Sequence, residues 1–286
     1  NWRAPPRGWR ARSEGGRDTA DLSWGPELKE VIESLKRALP HIREVHFTGG
    51  EPTMNPELAA IAAGLSALGL EVKTTTNGQF DESVLRKLME AGLRHFNFSI
   101  HSFDPERFRE QQTGRGASRL VQTGDMVRKK APSATWATSQ IEREKSMILA
   151  ARDLGATVKI NTVVSSAADQ RNAKEVLDWA REHRIPLRLL NDLGNGQTSL
   201  DAIREFIRRV EAQDVLRKVT IGRSSCSTVY RLPDGYEFVF KQIRDQRIAS
   251  MCRECPRNAN WTCEDQFYGI RLQKNIRGEF RVRLCL

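Results

Sequence analysis

The sequence predicts an α/β fold in which a parallel sheet forms an open or closed barrel. Three observations support this prediction. Short apolar runs alternate with helical patterns, and each strand-plus-helix step takes about 25 to 35 residues. Polar motifs directly follow the apolar runs, at the sheet edge where such folds bind ligands. The five cysteines all lie in the last quarter, which indicates a smaller C-terminal module: Cys226, Cys252, Cys255, Cys263 and Cys285.

The alternation begins after an irregular basic arm over residues 1–22, which is rich in arginine, proline and glycine. Pro26 suits a first helical position, and apolar residues at helical spacing predict a helix to Leu39. A strand over 42–47 follows. The same pattern predicts further helices over 56–68, 81–91, 141–154, 173–183 and 200–212, and strands over 70–75, 95–100, 158–164 and 187–190. We place a barrel over 23–198 and a C-terminal module over 199–286.

Two stretches depart from the alternation. Residues 113–139 are long, mixed and weakly periodic, which is unusual inside a compact domain. We interpret them as disordered or decorative, with a lid or substrate loop as the alternative. After residue 195, short strands are predicted over 219–221, 228–232 and 236–243, with a hairpin turn at Pro233-Asp234-Gly235.

Composition limits the function classes. The 286 residues are 39% hydrophobic, enough for a real core, and carry a formal net charge of +10. That charge favours an anionic partner. No apolar run approaches a membrane span and no signal peptide opens the chain, so we expect a cytoplasmic protein without a membrane partner. Aromatic residues are 7% and are not interleaved with the basic run, which argues against nucleic acid as the partner.

The turn after the first predicted strand is the strongest local motif. Gly49 and Gly50 let the backbone approach a ligand without a side chain in the way, Glu51 follows as a carboxylate, and Pro52 fixes the exit. A carboxylate among bare amides suits a ligand that carries an ammonium and a carboxylate, such as an amino acid. The alternative is an ordinary Gly-Gly turn with a solvated glutamate.

Other polar residues lie at or beside the ends of later strands. Alternation within 158–164 places Lys159 and Asn161 on one face, where a lysine would attract phosphate or carboxylate; a solvated lysine is the alternative. His101 follows the strand over 95–100 and contacts either ribose or substrate, or is simply a polar residue at a strand end.

The cysteine module begins with a CxxC, Cys252 to Cys255, and continues with Cys263 and Cys285. In a long chain without an export signal this clustering favours a metal or cluster over disulfides. Four thiolates fit tetrahedral zinc or a [4Fe-4S] cluster. Cys226 is interpreted as an ordinary thiol.

Taken together, these motifs resemble the radical S-adenosylmethionine enzymes. The resemblance rests on the GGEP turn, a strand ending Thr-Thr-Asn-Gly, the strand over 98–102, the strand over 158–164 and the C-terminal cysteines. Order and spacing are most similar to the molybdenum-cofactor branch, GTP 3′,8-cyclase and its relatives, over about residues 24–286. The resemblance implies a partial (β/α)6 TIM-like barrel with a small C-terminal cluster-binding extension.

It also implies cofactors and residue roles. Reductive cleavage of S-adenosylmethionine at a [4Fe-4S] cluster would produce a 5′-deoxyadenosyl radical that abstracts hydrogen from a small, anionic or nucleotide-like substrate. The electron donor would be a flavodoxin or ferredoxin. The implied S-adenosylmethionine-binding residues are Gly49, Gly50, Glu51, Pro52, Thr76, Asn77, Ser99, His101, Asn161 and Leu193. The implied substrate-binding residues are Thr75, Lys159 and Arg271, and the implied ligands of an auxiliary cluster are Cys252, Cys255, Cys263 and Cys285.

The sequence departs from the family pattern in its first residues. The three cysteines of the CxxxCxxC motif are missing: Ala4 and Arg7 stand at two of the places, and no cysteine precedes Cys226. We interpret the opening as a damaged or truncated N-terminus. As written, the chain is expected to lack thiolates for the radical-generating cluster. His46 stands where the cyclase has an arginine, and only Arg271 matches a later arginine pair, so the substrate need not be GTP.

Three functions compete on these grounds. The first is a radical S-adenosylmethionine enzyme with an auxiliary cluster. The second is a relative that binds ligand and cluster without radical chemistry, which the missing motif favours. The third, a basic nucleic-acid-binding protein with a zinc ribbon, ranks last.

Overall fold

The computed structural model describes residues 19–114, 119–123, 126–130, 132–219, 225–243, 252–253 and 269–283. The strands are β1 (Thr19–Ala20), β2 (Glu44–Phe47), β3 (Glu71–Thr76), β4 (Leu93–Ser99), β5 (Arg119–Thr123), β6 (Met126–Lys130), β7 (Thr157–Val164), β8 (Leu187–Asn191), β9 (Gln213–Val219), β10 (Cys226–Arg231), β11 (Glu237–Gln242), β12 (Arg271–Asn275) and β13 (Phe280–Arg283). The α-helices are α1 (Pro26–Ala38), α2 (Leu58–Ala67), α3 (Glu82–Glu90), α4 (Pro105–Gly114), α5 (Ala134–Asp153), α6 (Gln170–Glu182) and α7 (Gly196–Arg209).

One sheet dominates the fold. Its strand order is β2-β3-β4-β7-β8-β11-β10-β9, and the first six strands run parallel to their neighbours. Helices connect the first five of these strands, because parallel neighbours require a crossover. This is the arrangement of a partial (β/α)6 barrel, as predicted. The barrel is not closed, since β2 and β9 form the two ends of the sheet in the described part of the chain.

The last strands complicate the predicted division of the chain. β11 adds the sixth parallel strand, while β10 and β9 extend the same sheet antiparallel. The proposed boundary between residues 198 and 199 therefore crosses one continuous sheet and stays a prediction. β12 and β13 form a separate three-stranded sheet with β1.

Several predicted elements are confirmed, and their ends have local causes. α1 begins at Pro26, and Gly155, with φ of +83°, follows the end of α5. α5 begins seven residues before the predicted start at 141, because the Ser133 side chain accepts a hydrogen bond from the Trp136 amide and caps the helix.

The prediction of a disordered segment over 113–139 is wrong for the residues described there. β5 and β6 pair antiparallel as a hairpin, and α5 already occupies 134–139. The hairpin was missed because its strands lack a regular alternation of apolar and polar residues.

The parallel sheet has two different faces. One packs against the helices and is apolar; its fully buried side chains include Phe96, Phe98, Ile160 and Phe238. The other carries polar side chains at the alternate strand positions, and we call it the polar face. Its members include His46, Lys73, Thr75, Asn97, Lys159, Asn161, Arg188 and Lys241. Among the described helices none is long and apolar enough to cross a membrane.

Candidate functional site

Glu51 joins the ends of β2 and β3 through a set of hydrogen bonds. Its Oε1 accepts from the Thr53 amide at 3.2 Å, the Thr53 hydroxyl at 2.7 Å and the Thr76 hydroxyl at 2.6 Å. Its Oε2 accepts from the Asn77 amide at 2.7 Å. The carboxylate therefore fixes two strand ends relative to each other. Because Oε2 accepts only this one bond from the described residues, it has capacity for another donor.

The backbone around Glu51 is open on one side. Gly49 has φ of +126°, and a Cβ built there would meet no atom of the described residues within 4 Å, its chain neighbours aside. Pro52 then begins a single 3-10 turn, Pro52–Met54, with Glu51 as its N-cap. A ligand can therefore approach the bare backbone beside the carboxylate.

A partly buried polar pair supports the loop after β3. Gln79 Nε2 donates to Glu144 Oε1 at 2.8 Å and to the Gln140 carbonyl at 3.2 Å. Glu144 lies on α5 and is only 4% exposed. The amide of Gln79 in turn donates to Asn77 Oδ1 at 2.9 Å. Helix α5 therefore holds the loop whose Asn77 amide donates to Glu51.

The strand register places the polar residues in rows across adjacent strands. Thr75 is the partner of Asn97, and Asn97 is the partner of Lys159. In the next row Asn161 lies between Ser99 and Arg188. The predicted residues Thr75 and Lys159 thus share one row, and Ser99 and Asn161 share another. Asn161 is 8% exposed, and its Oδ1 has no hydrogen-bond partner among the described residues.

Lys73 on the polar face has its charge balanced by carboxylates. Its Nζ lies 2.6 Å from Glu44 and 2.9 Å from Glu71. Glu71 also lies 2.5 Å from His95 Nε2. Burial alone would lower the pKa of Lys73, but the hydrogen bonds and charges of the two glutamates outweigh it, so the pKa lies above its ordinary value of 10.5. This network ties together the amino-terminal halves of β2, β3 and β4.

Lys159, in contrast, has no carboxylate partner among the described residues. Burial, followed by the positive charges of Arg188 and Lys73, lowers its pKa from 10.5 to about 8. An ammonium held partly out of water beside other cations favours an anionic partner. This environment supports the interpretation of Lys159 as an anion-binding residue on the polar face, which stays a prediction.

His46 contacts two neighbours on the polar face. Its Nε2 lies 2.8 Å from Thr75 Oγ1 and 3.3 Å from Asn97 Nδ2. Solvent reaches the ring, yet many protein atoms surround it, and this burial is the main reason why its pKa falls from 6.5 to about 4. Glu44 opposes the shift, while Lys73, Lys241 and Arg188 add to it. The imidazole is therefore neutral at physiological pH.

His101 has a structural contact. Its Nδ1 accepts a hydrogen bond from the Val163 amide at 3.2 Å, directly beyond the last backbone pair of β4 and β7. With Nδ1 as acceptor, the neutral ring carries its proton on Nε2. This geometry extends the ladder between the two strands, and the role of His101 in cofactor binding stays a prediction.

The remaining predicted residues are dispersed. Leu193 is half-buried, two residues beyond β8. Arg271 begins β12 and lies in the three-stranded sheet, whose Leu272 and Phe280 pack against the main core. The placement of Leu193 and Arg271 does not test their predicted roles.

Only one of the predicted cluster ligands is described. Cys252 is half-buried with a free thiol. Cys255, Cys263 and Cys285 lie outside the described residues. The described ranges contain no group of three or more histidine, cysteine, aspartate or glutamate side chains that could hold a metal. The proposed cluster therefore stays a prediction.

Sequence reasoning missed several members of the polar face. Lys73, Asn97 and Arg188 were not identified, and His46 was noted only as a departure from the family pattern. The signal was present, because each is a polar residue between apolar or small neighbours within a predicted strand. Applying the alternation argument used for Lys159 to every strand would have identified them.

Comparisons with known proteins agree on one family. A family model described as the Radical SAM superfamily matches residues 22–210. The GTP 3′,8-cyclase of Campylobacter fetus subsp. fetus is 24% identical over 238 residues, which cover 80% of this chain and 65% of that protein. The GTP 3′,8-cyclase of Nautilia profundicola is 23% identical over 252 residues, 82% of this chain and 69% of that protein. The chain thus spans about two thirds of the length of these relatives.

Solved structures give more distant matches. Streptococcus suis SuiB bound to S-adenosylmethionine is 15% identical, with a TM-score of 0.43, and the match covers 66% of this chain and 42% of SuiB. Native anSMEcpe with bound AdoMet is 18% identical, with a TM-score of 0.42, over 64% of this chain and 49% of that one.

Proposed function

The chain belongs to the radical S-adenosylmethionine superfamily, and on that premise we propose that it binds S-adenosylmethionine beside Glu51 and abstracts hydrogen from a small anionic substrate on the polar face. The observation that carries the proposal is the Glu51 carboxylate, which is fixed by hydrogen bonds from Thr53, Thr76 and Asn77 and lies beside open backbone at Gly49.

The residues present fit S-adenosylmethionine. The free capacity of Glu51 Oε2 suits an ammonium group, and the space beside Gly49 admits the amino-acid part of the ligand. Asn161 offers a buried Oδ1 that lacks a protein partner in the described residues. Ser99 is its neighbour in the same row, and Leu193 follows β8. We assign these residues to the ribose and adenine parts of the ligand.

A reduced [4Fe-4S] cluster beside the bound S-adenosylmethionine would supply the electron for its reductive cleavage, and with it the capacity to abstract hydrogen from the substrate. The protein's own residues bind and orient. Glu51 holds the ammonium group, and the Thr76 hydroxyl and Asn77 amide hold Glu51 itself. Gln79 and Glu144 hold the loop that contains Asn77 through their hydrogen bonds.

The substrate would lie on the polar face of the sheet. Lys159 supplies a positive charge without a carboxylate partner among the described residues, and Thr75 lies in the same row. Arg271 is a further proposed contact of the substrate. The names of the related cyclases make GTP one candidate. His46, at the family's arginine position, supports a different anionic compound as the substrate.

We assign the C-terminal cysteines, Cys252, Cys255, Cys263 and Cys285, to an auxiliary [4Fe-4S] cluster, with zinc as the competing metal. A flavodoxin or ferredoxin is the proposed electron donor. A second candidate function is a relative that binds S-adenosylmethionine and the auxiliary cluster without radical chemistry. It is favoured by one observation: Ala4 and Arg7 stand at two of the places where the family motif has cysteines.

Direct binding tests the site independently of activity. Labelled S-adenosylmethionine is titrated into the wild type, Glu51→Gln and Glu57→Gln, the last being an exposed glutamate that the site does not use. We expect affinity to fall at least about tenfold in Glu51→Gln, because a charge-assisted hydrogen bond to the ammonium is lost. The Glu57→Gln control should bind like the wild type. Equal affinity in all three proteins contradicts the proposed site.

Anaerobic reconstitution with iron and sulfide separates the two candidate functions. About eight irons per chain with 5′-deoxyadenosine formed under reductant supports the radical enzyme. About four irons without 5′-deoxyadenosine supports the binding relative. Zinc without iron contradicts the auxiliary cluster in both.

A further inference from the structure

We propose that His46, Thr75 and Asn97 form an uncharged subsite that binds a hydroxyl or amide group of the substrate, next to the anionic group held by Lys159. The inference rests on the proposed function, because it describes a second part of the same substrate. It identifies the substrate class as an anion that also carries a hydroxyl or amide group, such as a phosphorylated or carboxylated polyol.

The first step is the geometry of the three side chains. They come from the adjacent strands β2, β3 and β4, and His46 Nε2 lies within hydrogen-bond distance of both partners, at 2.8 Å from Thr75 Oγ1 and 3.3 Å from Asn97 Nδ2. Asn97 Nδ2 also donates to the Thr74 carbonyl at 3.3 Å. A carbonyl only accepts, so this contact supports the assignment of the Asn97 amide orientation.

The second step is the distribution of protons. Because Asn97 Nδ2 is a donor facing His46 Nε2, the ring nitrogen is an acceptor and its proton lies on Nδ1. Within the described residues, His46 Nδ1 and Asn97 Oδ1 have no further hydrogen-bond partner. The subsite therefore offers one donor and at least one acceptor, a combination that matches a hydroxyl or amide group.

The third step is charge. The cations that face His46 are Lys73, Lys241 and Arg188, and the facing anion is Glu44. The low pKa of His46, about 4, keeps the ring uncharged among them. Lys73 is balanced by Glu44 and Glu71. The neutral ring carries no charge for a ligand anion to balance, and an uncharged polar group can bind it without desolvating an ion.

The fourth step is the distance to Lys159. Thr75, Asn97 and Lys159 are register partners on three consecutive strands. Strand spacing is about 4.8 Å, so the strands of Thr75 and Lys159 lie about 10 Å apart. A ligand that reaches both therefore carries its anionic and hydroxylated groups on one small framework.

The test compares two probes on the intact chain. Inorganic phosphate probes Lys159 alone, and ribose 5-phosphate adds hydroxyl groups to the same anion. We expect ribose 5-phosphate to bind the wild type at least about tenfold more tightly than phosphate. In His46→Leu this preference should fall at least about threefold while phosphate affinity stays unchanged, and His46→Gln, which keeps a donor and an acceptor, should retain part of it. Amide spectra of each variant, compared with those of the wild type, show whether the variant is folded.

The outcomes distinguish the inference from the proposed function. Equal affinity for the two probes in the wild type, or a preference unchanged in His46→Leu, overturns the uncharged subsite while leaving Lys159 as the anion site. Phosphate binding that is insensitive to Lys159→Met, or absent from the wild type, contradicts the anion site of the proposed function and the inference with it. A ring resonance that disappears in His46→Leu and shifts with ribose 5-phosphate, but not with phosphate, supports the subsite directly.

Discussion

The two faces of the parallel sheet differ in chemistry although single strands supply both. On β4, Phe96 and Phe98 are 1% and 0% exposed and stack against each other on the helix-packed face, while Asn97 between them lies on the polar face and contacts His46. Alternation of side chains along a strand puts these neighbours on opposite sides. Stability therefore depends mainly on one face, and the proposed recognition of the substrate depends on the other.

The polar face is itself divided by how its charges are balanced. On β3, Lys73 has two carboxylates within 3 Å, whereas Lys159 on β7 has none among the described residues. Balanced charges indicate a structural network. A cation without a balancing anion indicates a place where a ligand supplies it.

The sharpest test of the two faces is a pair of adjacent substitutions. Phe98→Ala should lower the free energy of unfolding by about 4 kcal/mol, because a fully buried aromatic side chain leaves a cavity. Asn97→Ala should cost about 1 kcal/mol or less, since it loses only part-exposed hydrogen bonds. Urea denaturation of both variants measures the difference. Equal losses of unfolding free energy in the two variants would contradict the proposal that the helix-packed face contributes most of the stability.

A second pair, Thr74 and Thr76, tests the Glu51 network within the helix-packed face. Both threonines are buried on β3, at 0% and 1% exposure, but only the Thr76 hydroxyl donates to Glu51. The Thr74 hydroxyl has no partner among the described residues. Thr76→Val should therefore cost about 2 kcal/mol and weaken S-adenosylmethionine binding.

Thr74→Val is the matched control for this pair. It should be neutral or stabilising by up to about 1 kcal/mol, because it replaces a buried hydroxyl without a partner by a methyl group. Thermal unfolding and ligand titration read out both substitutions. A Thr74→Val variant that loses as much stability as Thr76→Val would contradict the assigned hydrogen bonds.

The third test compares the two lysines. Lys159→Met should raise stability at pH 7 by about 1 kcal/mol after allowance for partial exposure, because it removes a partly desolvated cation. The folded pKa of about 8 lies below 10.5, so wild-type stability should rise between pH 8 and 10.5 as the unfolded chain retains more protons. Lys159→Met should flatten that rise. Lys73→Met should instead destabilise, because Glu44 and Glu71 each lose an ion pair with the ammonium.

The sequence was sufficient for the scaffold and for the Glu51 turn. Strand-end motifs and helical periodicity located the alternating elements, and Gly49 with its positive φ is where the turn was predicted. The pattern of ion pairs on the polar face was harder to predict from the sequence. Whether Lys73 or Lys159 has a carboxylate partner depends on register between strands that are distant in the chain, and a single sequence does not record register. The same limit hid the contact of His46 with Thr75 and Asn97.

The smallest expected effect concerns His46 and pH. Its pKa is about 4 in the folded chain and 6.5 in the unfolded chain, so the unfolded state binds the proton first as the pH falls. The stability that His46 contributes is complete above pH 6.5 and is lost between pH 6.5 and 4. Because solvent reaches the ring, we expect a loss of only about 0.5 kcal/mol. His46→Gln should remove this pH-dependent part of the stability. It is measured as the difference in urea midpoint between the wild type and the variant, followed from pH 6.5 to pH 4. A difference that does not change with pH would mean that His46 titrates normally, and the polar face would then carry one more positive charge below pH 6.5 than its geometry implies.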